Sequence, residues 1–221
     1  MKAAVIGLVA LLIGLAVGRA DLIIVQKVEG GGQSGEQTIK IKGDKARSDL
    51  AQPVSMITDG ATGEMTTLMH TGKTFLKVSA AQTKAMMDQL QKLRPSGEPA
   101  KLQPTGKKEK IGEYECEIFT ANLGGLTITY WIAKDFPNYP AVLEQLEKFQ
   151  AGAVSAMGKG LMPELKEFPG MMMKTEIDMR GQKTVTTLVS VTEENVDPAV
   201  FKIPAGYKET TSPTLNFQPE K

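Results

Sequence analysis

The chain has 221 residues, with 26 Lys and Arg against 25 Asp and Glu, 41% hydrophobic and 5% aromatic side chains, one His and one Cys. A single His and a single Cys exclude a His/Cys zinc site, a disulfide framework and an iron–sulfur cluster built within one chain. The near-zero net charge removes the main electrostatic term for binding nucleic acid.

Residues 1–20, MKAAVIGLVALLIGLAVGRA, carry Lys2, an apolar stretch from Ala3 to Val17 and then Gly18-Arg19-Ala20. This is the layout of a secretory signal peptide with cleavage after Ala20, too short and too interrupted by Gly7 and Gly14 for a membrane span. No cysteine stands at the junction to carry a lipid. Cleavage removes Lys2 and Arg19 from the 26 basic residues and leaves 24 against 25 acids, a periplasmic or secreted chain of net charge −1. It is expected to form one β domain over residues 21–209, followed by a disordered tail from 210.

From Asp21 to Val78 the chain alternates short β-prone runs with Gly, Pro and Asp breakers: 22–28, 37–42, 45–50, 54–58, 64–70 and 73–78. Connections this short predict hairpins and an antiparallel meander. Met86, Leu90 and Leu93 then recur at helical spacing, with Ser79 as N-cap and Pro95 as stop, predicting a helix over 80–94. A polar loop runs to Gly106.

Strands follow at 107–111, 113–121 and 126–134. In the second, Tyr114, Cys116 and Ile118 alternate with Glu113, Glu115 and Glu117, which places Cys116 inside as an inert core thiol. Pro140 opens a second helix, whose stripe of Val142, Leu146, Phe149, Ala153 and Met157 ends at Gly158. Met171, Met173, Ile177 and Met179 are expected on one face of a hairpin strand, and Val185, Val189 and Val191 on one face of its partner. Ten or eleven strands and two helices make an α+β, mostly antiparallel chain.

Several motifs fail on context. Gly30, Gly32 and Gly35 satisfy G-x-G-x-x-G, yet a strand follows where a dinucleotide site needs a helix. Gly72-Lys73-Thr74 lacks the upstream glycine of a phosphate loop. His70 reads as an exposed residue at a hairpin end, with no G-x-S-x-G frame around it, and no carboxylate spacing singles out a glycosidase pair. There is no Asp-rich calcium loop, and Met-x-x-Met arrays with supporting His, which copper needs, are missing, so no cofactor or metal is expected.

Methionine, at 12 residues, is the one unusual count. Thioether side chains fill irregular cores and also line grooves that accept varied apolar ligands.

The segments Lys42-Gly-Asp-Lys-Ala-Arg-Ser-Asp49, Ile57-Thr-Asp59, Gly72-Lys-Thr-Phe75, Lys110-Ile-Gly-Glu-Tyr-Glu-Cys116, Tyr130-Trp-Ile-Ala-Lys-Asp135 and Phe201-Lys-Ile-Pro-Ala-Gly-Tyr207 occur in this order. From about Leu22 to Tyr207 the chain resembles an exported bacterial family, domain of unknown function 4412, itself similar to the LolA/LolB-like outer-membrane lipoprotein carriers. The resemblance implies a strongly curved half-open β-barrel, with the two amphipathic helices on its concave side and acyl chains as cargo. It carries over no catalytic set.

The favoured expectation is a non-enzymatic exported protein holding an acyl chain, a lipid or a lipidated partner. Candidate groove residues are Met86, Met87, Leu90, Trp131, Phe149, Met171, Met173 and Met179. The alternatives are a cell-envelope interaction module with a fully packed core, or a hydrolase using His70 or a carboxylate pair.

Overall fold

The computed structural model describes residues 21–31, 34–50, 53–92, 101–123, 126–150, 163–179 and 181–210; within these, the side chains of residues 86, 87, 89–92, 123 and 150 are not described. The expected signal peptide, the tail beyond 210, and the helical positions Ala153 and Met157 lie outside the described residues.

Among the described residues twelve strands make one open sheet: β1 (Asp21–Gly30), β2 (Gly35–Lys42), β3 (Lys45–Asp49), β4 (Val54–Asp59), β5 (Met65–Met69), β6 (Thr74–Val78), β7 (Gln103–Ile111), β8 (Tyr114–Leu123), β9 (Leu126–Ala133), β10 (Met171–Met179), β11 (Gln182–Glu194) and β12 (Lys208–Glu209). Their order is β12-β6-β5-β4-β3-β2-β1-β11-β10-β9-β8-β7. Every pairing is antiparallel except β12 on β6, a two-residue strand the sequence did not suggest. The expected meanders thus form two halves, joined where β1 pairs with β11.

Helix α1 (Ala80–Lys92) follows β6, and α2 (Tyr139–Gln150) follows β9. Ser79 caps α1 as its side chain predicts: the Gln82 amide donates to Ser79 Oγ at 3.3 Å, and the Ser79 amide donates back to Gln82 Oε1 at 2.9 Å. This reciprocal pair satisfies backbone donors that the first turn leaves open. The loop expected up to Gly106 ends earlier, because β7 pairs with β8 from Gln103 onward across a bulge between Pro104 and Lys108.

The two faces of the sheet differ. On one face α2 lays Val142, Leu146 and Phe149 over a core of Leu22, Ile24, Ile41, Ala46, Cys116, Trp131, Ala133, Met171, Met173 and Leu188. Cys116 is fully buried there, and burial raises its thiol pKa, which suits an inert apolar side chain. On the other face of β8–β10, Phe119, Ala121, Ile128, Tyr130 and Ile132 pack with Phe168. A third cluster, on that same face at β4–β6, joins Ile57, Leu68 and Phe75 to Phe201, Ile203 and Tyr207 of the returning C-terminal segment.

Two bulges change which residues share a face. In β10, Met172 pairs with Ile132 but Lys174 pairs with Trp131, so Met173 is the extra residue. Met171 and Met173 therefore point toward α2, whereas Ile177 joins the opposite cluster. In β11, Ser190 pairs with Val25 and Leu188 with Gln26. That slip leaves Val189 57% exposed while Leu188 and Val191, three residues apart, both pack on the core under α2. Period-2 reasoning fails at both places because one inserted residue inverts everything beyond it.

Gly170 marks a close crossing just before β10. A Cβ there would collide with the backbone carbonyl of Ala133, so the approach of chain to chain requires glycine.

Candidate functional site

The α2 side of the sheet continues past the covered core onto β4–β6. Register places Ser48, Met56, Thr67 and Leu76 in one cross-strand row; Ala46, Thr58, Met65 and Val78 in the next; and Val54, Met69 and Thr74 in a third. Ala46 belongs to the core under α2, so all three rows lie on that side. Val54, Met56, Met65, Met69, Leu76 and Val78 are half-buried and belong to none of the three packed clusters. They form an apolar floor of unbranched and branched aliphatic side chains. No ionisable group stands among these rows.

The expected groove residues separate in the structure. Trp131, Met171 and Met173 are buried in the core beneath α2. The Trp131 ring is closed off by Lys174, whose Nζ lies 4.0 Å from the ring centroid, and its indole N–H donates to Glu109 Oε2 at 2.7 Å. Phe149 is half-buried against the same core, and its carbonyl lies against Gly60 in the turn after β4. Met179 is 58% exposed at the end of β10. The side chains of Met86, Met87 and Leu90 lie outside the described residues. The floor methionines, Met56, Met65 and Met69, were missed; their signal was the alternation within 54–58 and 64–70.

On the opposite face a polar network ties the C-terminal segment to the sheet, and it corrects the expectation of an exposed His70. His70 is half-buried, with Nε2 2.6 Å from Ser55 Oγ and Nδ1 2.6 Å from Tyr207 Oη. Ser55 Oγ donates to Asp49 Oδ1 at 2.6 Å. Arg47 donates through Nε to Asp49 Oδ1 at 2.6 Å, through one terminal nitrogen to Ser55 Oγ at 3.1 Å, and through the other to the Val200 carbonyl at 2.9 Å. Lys40 Nζ reaches Asp49 Oδ2 at 3.2 Å. Burial opposes the Asp49 charge, but the bonds from Ser55 and Arg47, the Arg47 charge and the Lys40 bond together hold its carboxyl below the ordinary value.

Proton bookkeeping fixes the direction of this chain. An ionised Asp49 only accepts, so the single Ser55 proton goes to it. Nε2 of His70 must then donate to Ser55, which in a neutral ring leaves Nδ1 to accept from the Tyr207 hydroxyl. A nucleophilic serine needs the reverse, with histidine accepting its proton. Ser55 is also only 1% exposed. The geometry is that of a clasp.

Tyr130 in the second cluster is the described residue with an unpartnered buried polar atom: its hydroxyl has no hydrogen-bond partner, and burial pushes its pKa up to about 12. Phe168 meets its ring edge-on at a centroid distance of 5.1 Å. Tyr130→Phe removes a desolvated donor and loses no bond, so urea unfolding is expected to show a gain of about 1 kcal/mol. A loss of stability would reveal a bound water or another partner.

Among the described residues, no three His, Cys, Asp or Glu side chains gather as a metal-ligand set, and no helix is long and apolar enough to cross a membrane.

An open antiparallel sheet with an apolar floor beside one helix, and a C-terminal segment clasped to its other face, defines the class of fold. The chain belongs to the family described as Domain of unknown function (DUF4412), whose profile matches residues 22–207. No curated protein matches it. Among solved structures it is similar to PNGF-II, at 13% identity and a TM-score of 0.44, over 87% of this chain and 32% of that one. It is also similar to LprF from Mycobacterium bovis, at 13% identity and a TM-score of 0.37, over 82% and 90% of the two chains. A DUF1329 family protein from Desulfovibrio piger aligns at 11% identity and a TM-score of 0.34, over 84% and 91%. The chain thus spans about a third of the length of PNGF-II.

Proposed function

We propose that this protein is an exported, non-enzymatic carrier that holds an acyl chain, free or attached to a lipid or lipidated partner, against the α2 side of β4–β6. The observation that carries this reading is the floor of Val54, Met56, Met65, Met69, Leu76 and Val78, which is apolar and half-buried and takes no part in the three packed clusters. Unbranched, polarisable thioethers adapt to an alkyl chain that has no fixed shape. In this reading the sheet wraps around the floor as the half-barrel of LolA/LolB-like carriers does, with the helices beside its mouth. Export follows from the signal-peptide pattern of residues 1–20. The direction of the Ser55–His70 hydrogen bond supports a non-enzymatic role.

A fluorescent acyl probe tests the reading on delipidated mature protein. The wild type is expected to take it up at micromolar concentration. Met56→Lys places a charge on the floor and is expected to weaken uptake by tenfold or more, about 1.4 kcal/mol, without loss of the folded circular dichroism spectrum. Equal uptake by both proteins would remove the floor as the site.

A further inference from the structure

A second concavity lies on the opposite face of the sheet, where the C-terminal segment crosses β4–β6. Its volume is about 300 Å³, and its lining holds three cations, Lys45, Lys77 and Lys202, two carboxylates, Asp59 and Glu64, and the apolar Ile57, Phe201 and Ile203, at the lower end of the size range of small-molecule sites. The floor is regular: Ile57, Thr66 and Lys77 stand abreast in one cross-strand row.

The far wall is held in place at several points. Arg47 binds the Val200 carbonyl just before Phe201. The Tyr207 hydroxyl is bound to His70 beyond Ile203. Lys208 and Thr210 add backbone bonds to Lys73 and Phe75, at 3.0 and 2.8 Å. Phe201 and Ile203 pack on Ile57, Leu68 and Phe75. A wall anchored on both sides of Lys202 presents that side chain in a defined place, which lowers the ordering cost of binding.

The charges in the cleft do not cancel. Lys45 is paired with Asp59 at 2.6 Å and Lys77 with Glu64 at 3.8 Å. Lys202, the third cation of the lining, has no ion-pair partner among the described residues. Asp59 is further committed to the Ala61 and Thr62 amides, at 3.1 and 3.0 Å. One surplus ammonium therefore faces a lining with an isoleucine pair and a phenylalanine.

We propose that this cleft binds a small organic monoanion, a carboxylate carried on a compact apolar body, with Lys202 meeting the carboxylate and Ile57, Phe201 and Ile203 covering the apolar part. One uncompensated positive charge selects a monoanion, and the three apolar side chains select an organic body over an inorganic ion. The site is independent of the acyl floor, which lies on the other side of the sheet.

Amide NMR titrations of the mature protein test it with benzoate, its neutral analogue benzamide and the cation benzylammonium. Benzoate is expected to give saturable shifts at Thr66, Phe201, Lys202 and Ile203 below about 20 mM, where even a millimolar site fills. Benzamide is expected to bind several-fold more weakly and benzylammonium to leave these amides unmoved. Lys202→Glu, on an exposed side chain, is expected to weaken benzoate about tenfold, and Lys202→Arg to retain it. Absence of saturable benzoate shifts, equal shifts with the three probes, or equal affinity in Lys202→Glu would each overturn the proposal. The acyl-probe experiment is unaffected by any of these outcomes.

Discussion

Asp49→Ala is expected to lower the unfolding free energy by about 2 kcal/mol, less than the loss of a fully buried pair because the carboxylate side chain is 30% exposed. The substitution deprives Arg47, Ser55 and Lys40 of their shared acceptor at once. Arg47, with a side chain only 16% exposed, then keeps a charge facing Ser55 and the Val200 carbonyl and no carboxylate. In a chain of this size the change corresponds to a melting temperature lower by about 4–8 °C. The acid dependence gives the sign independently. A carboxyl whose folded pKa is depressed contributes stability that is present above its unfolded value of 3.8 and is lost as pH falls through the folded value. The stability gap between wild type and Asp49→Ala is therefore expected to be full at neutral pH and to narrow below pH 3.8. A gap that stays constant down to strongly acid pH would mean that Asp49 contributes through packing alone.

Leu68→Ala is expected to cost more, about 3 kcal/mol. Leu68 is fully buried in a cluster with Ile57 and Phe75, and that cluster is covered by Phe201, Ile203 and Tyr207. Truncation loses the transfer free energy of the removed carbons and leaves a cavity beneath the clasp. The damage should also be local. Hydrogen exchange at the Lys208 and Thr210 amides, which bond to Lys73 and Phe75, is expected to accelerate more than exchange in β1, whose Leu22 and Ile24 belong to the core under α2. Uniform acceleration across both regions would show that the clasp and the main core unfold as one unit.

The hairpins of β1–β6 were legible because each run is short, alternates, and ends in Gly, Asp or Pro. The helices were legible from their period and from Ser79 and Pro140. Faces were less so. The bulges at Met173 and Val189 leave no mark in composition, yet they separated Met171 and Met173 from Ile177 and Val189 from Val191.

The clasp was invisible for a different reason. Arg47, Asp49, Ser55, His70 and Tyr207 span 160 positions, and hydrogen bonds between strands have no fixed spacing. Yet Arg47 and Asp49 fall in the segment Lys42–Asp49, and Tyr207 ends the segment Phe201–Tyr207, two of the segments that carried the family resemblance. Those short motifs mark a structural joint. The methionine surplus is unusual, but its adjacent members, Met86-Met87 and Met171-Met172-Met173, do not lie on the floor; Met56, Met65 and Met69 occur singly and reach one face only through strand pairing.

The most direct measurement is native mass spectrometry, followed by organic extraction, of the full chain expressed in bacteria and purified without delipidation. The carrier account predicts a mature mass accompanied by a co-purifying acyl-bearing species, lost on extraction and restored by added fatty acid. A clean apo mass that takes up no acyl probe would contradict it and would leave an interaction module of the cell envelope as the better description.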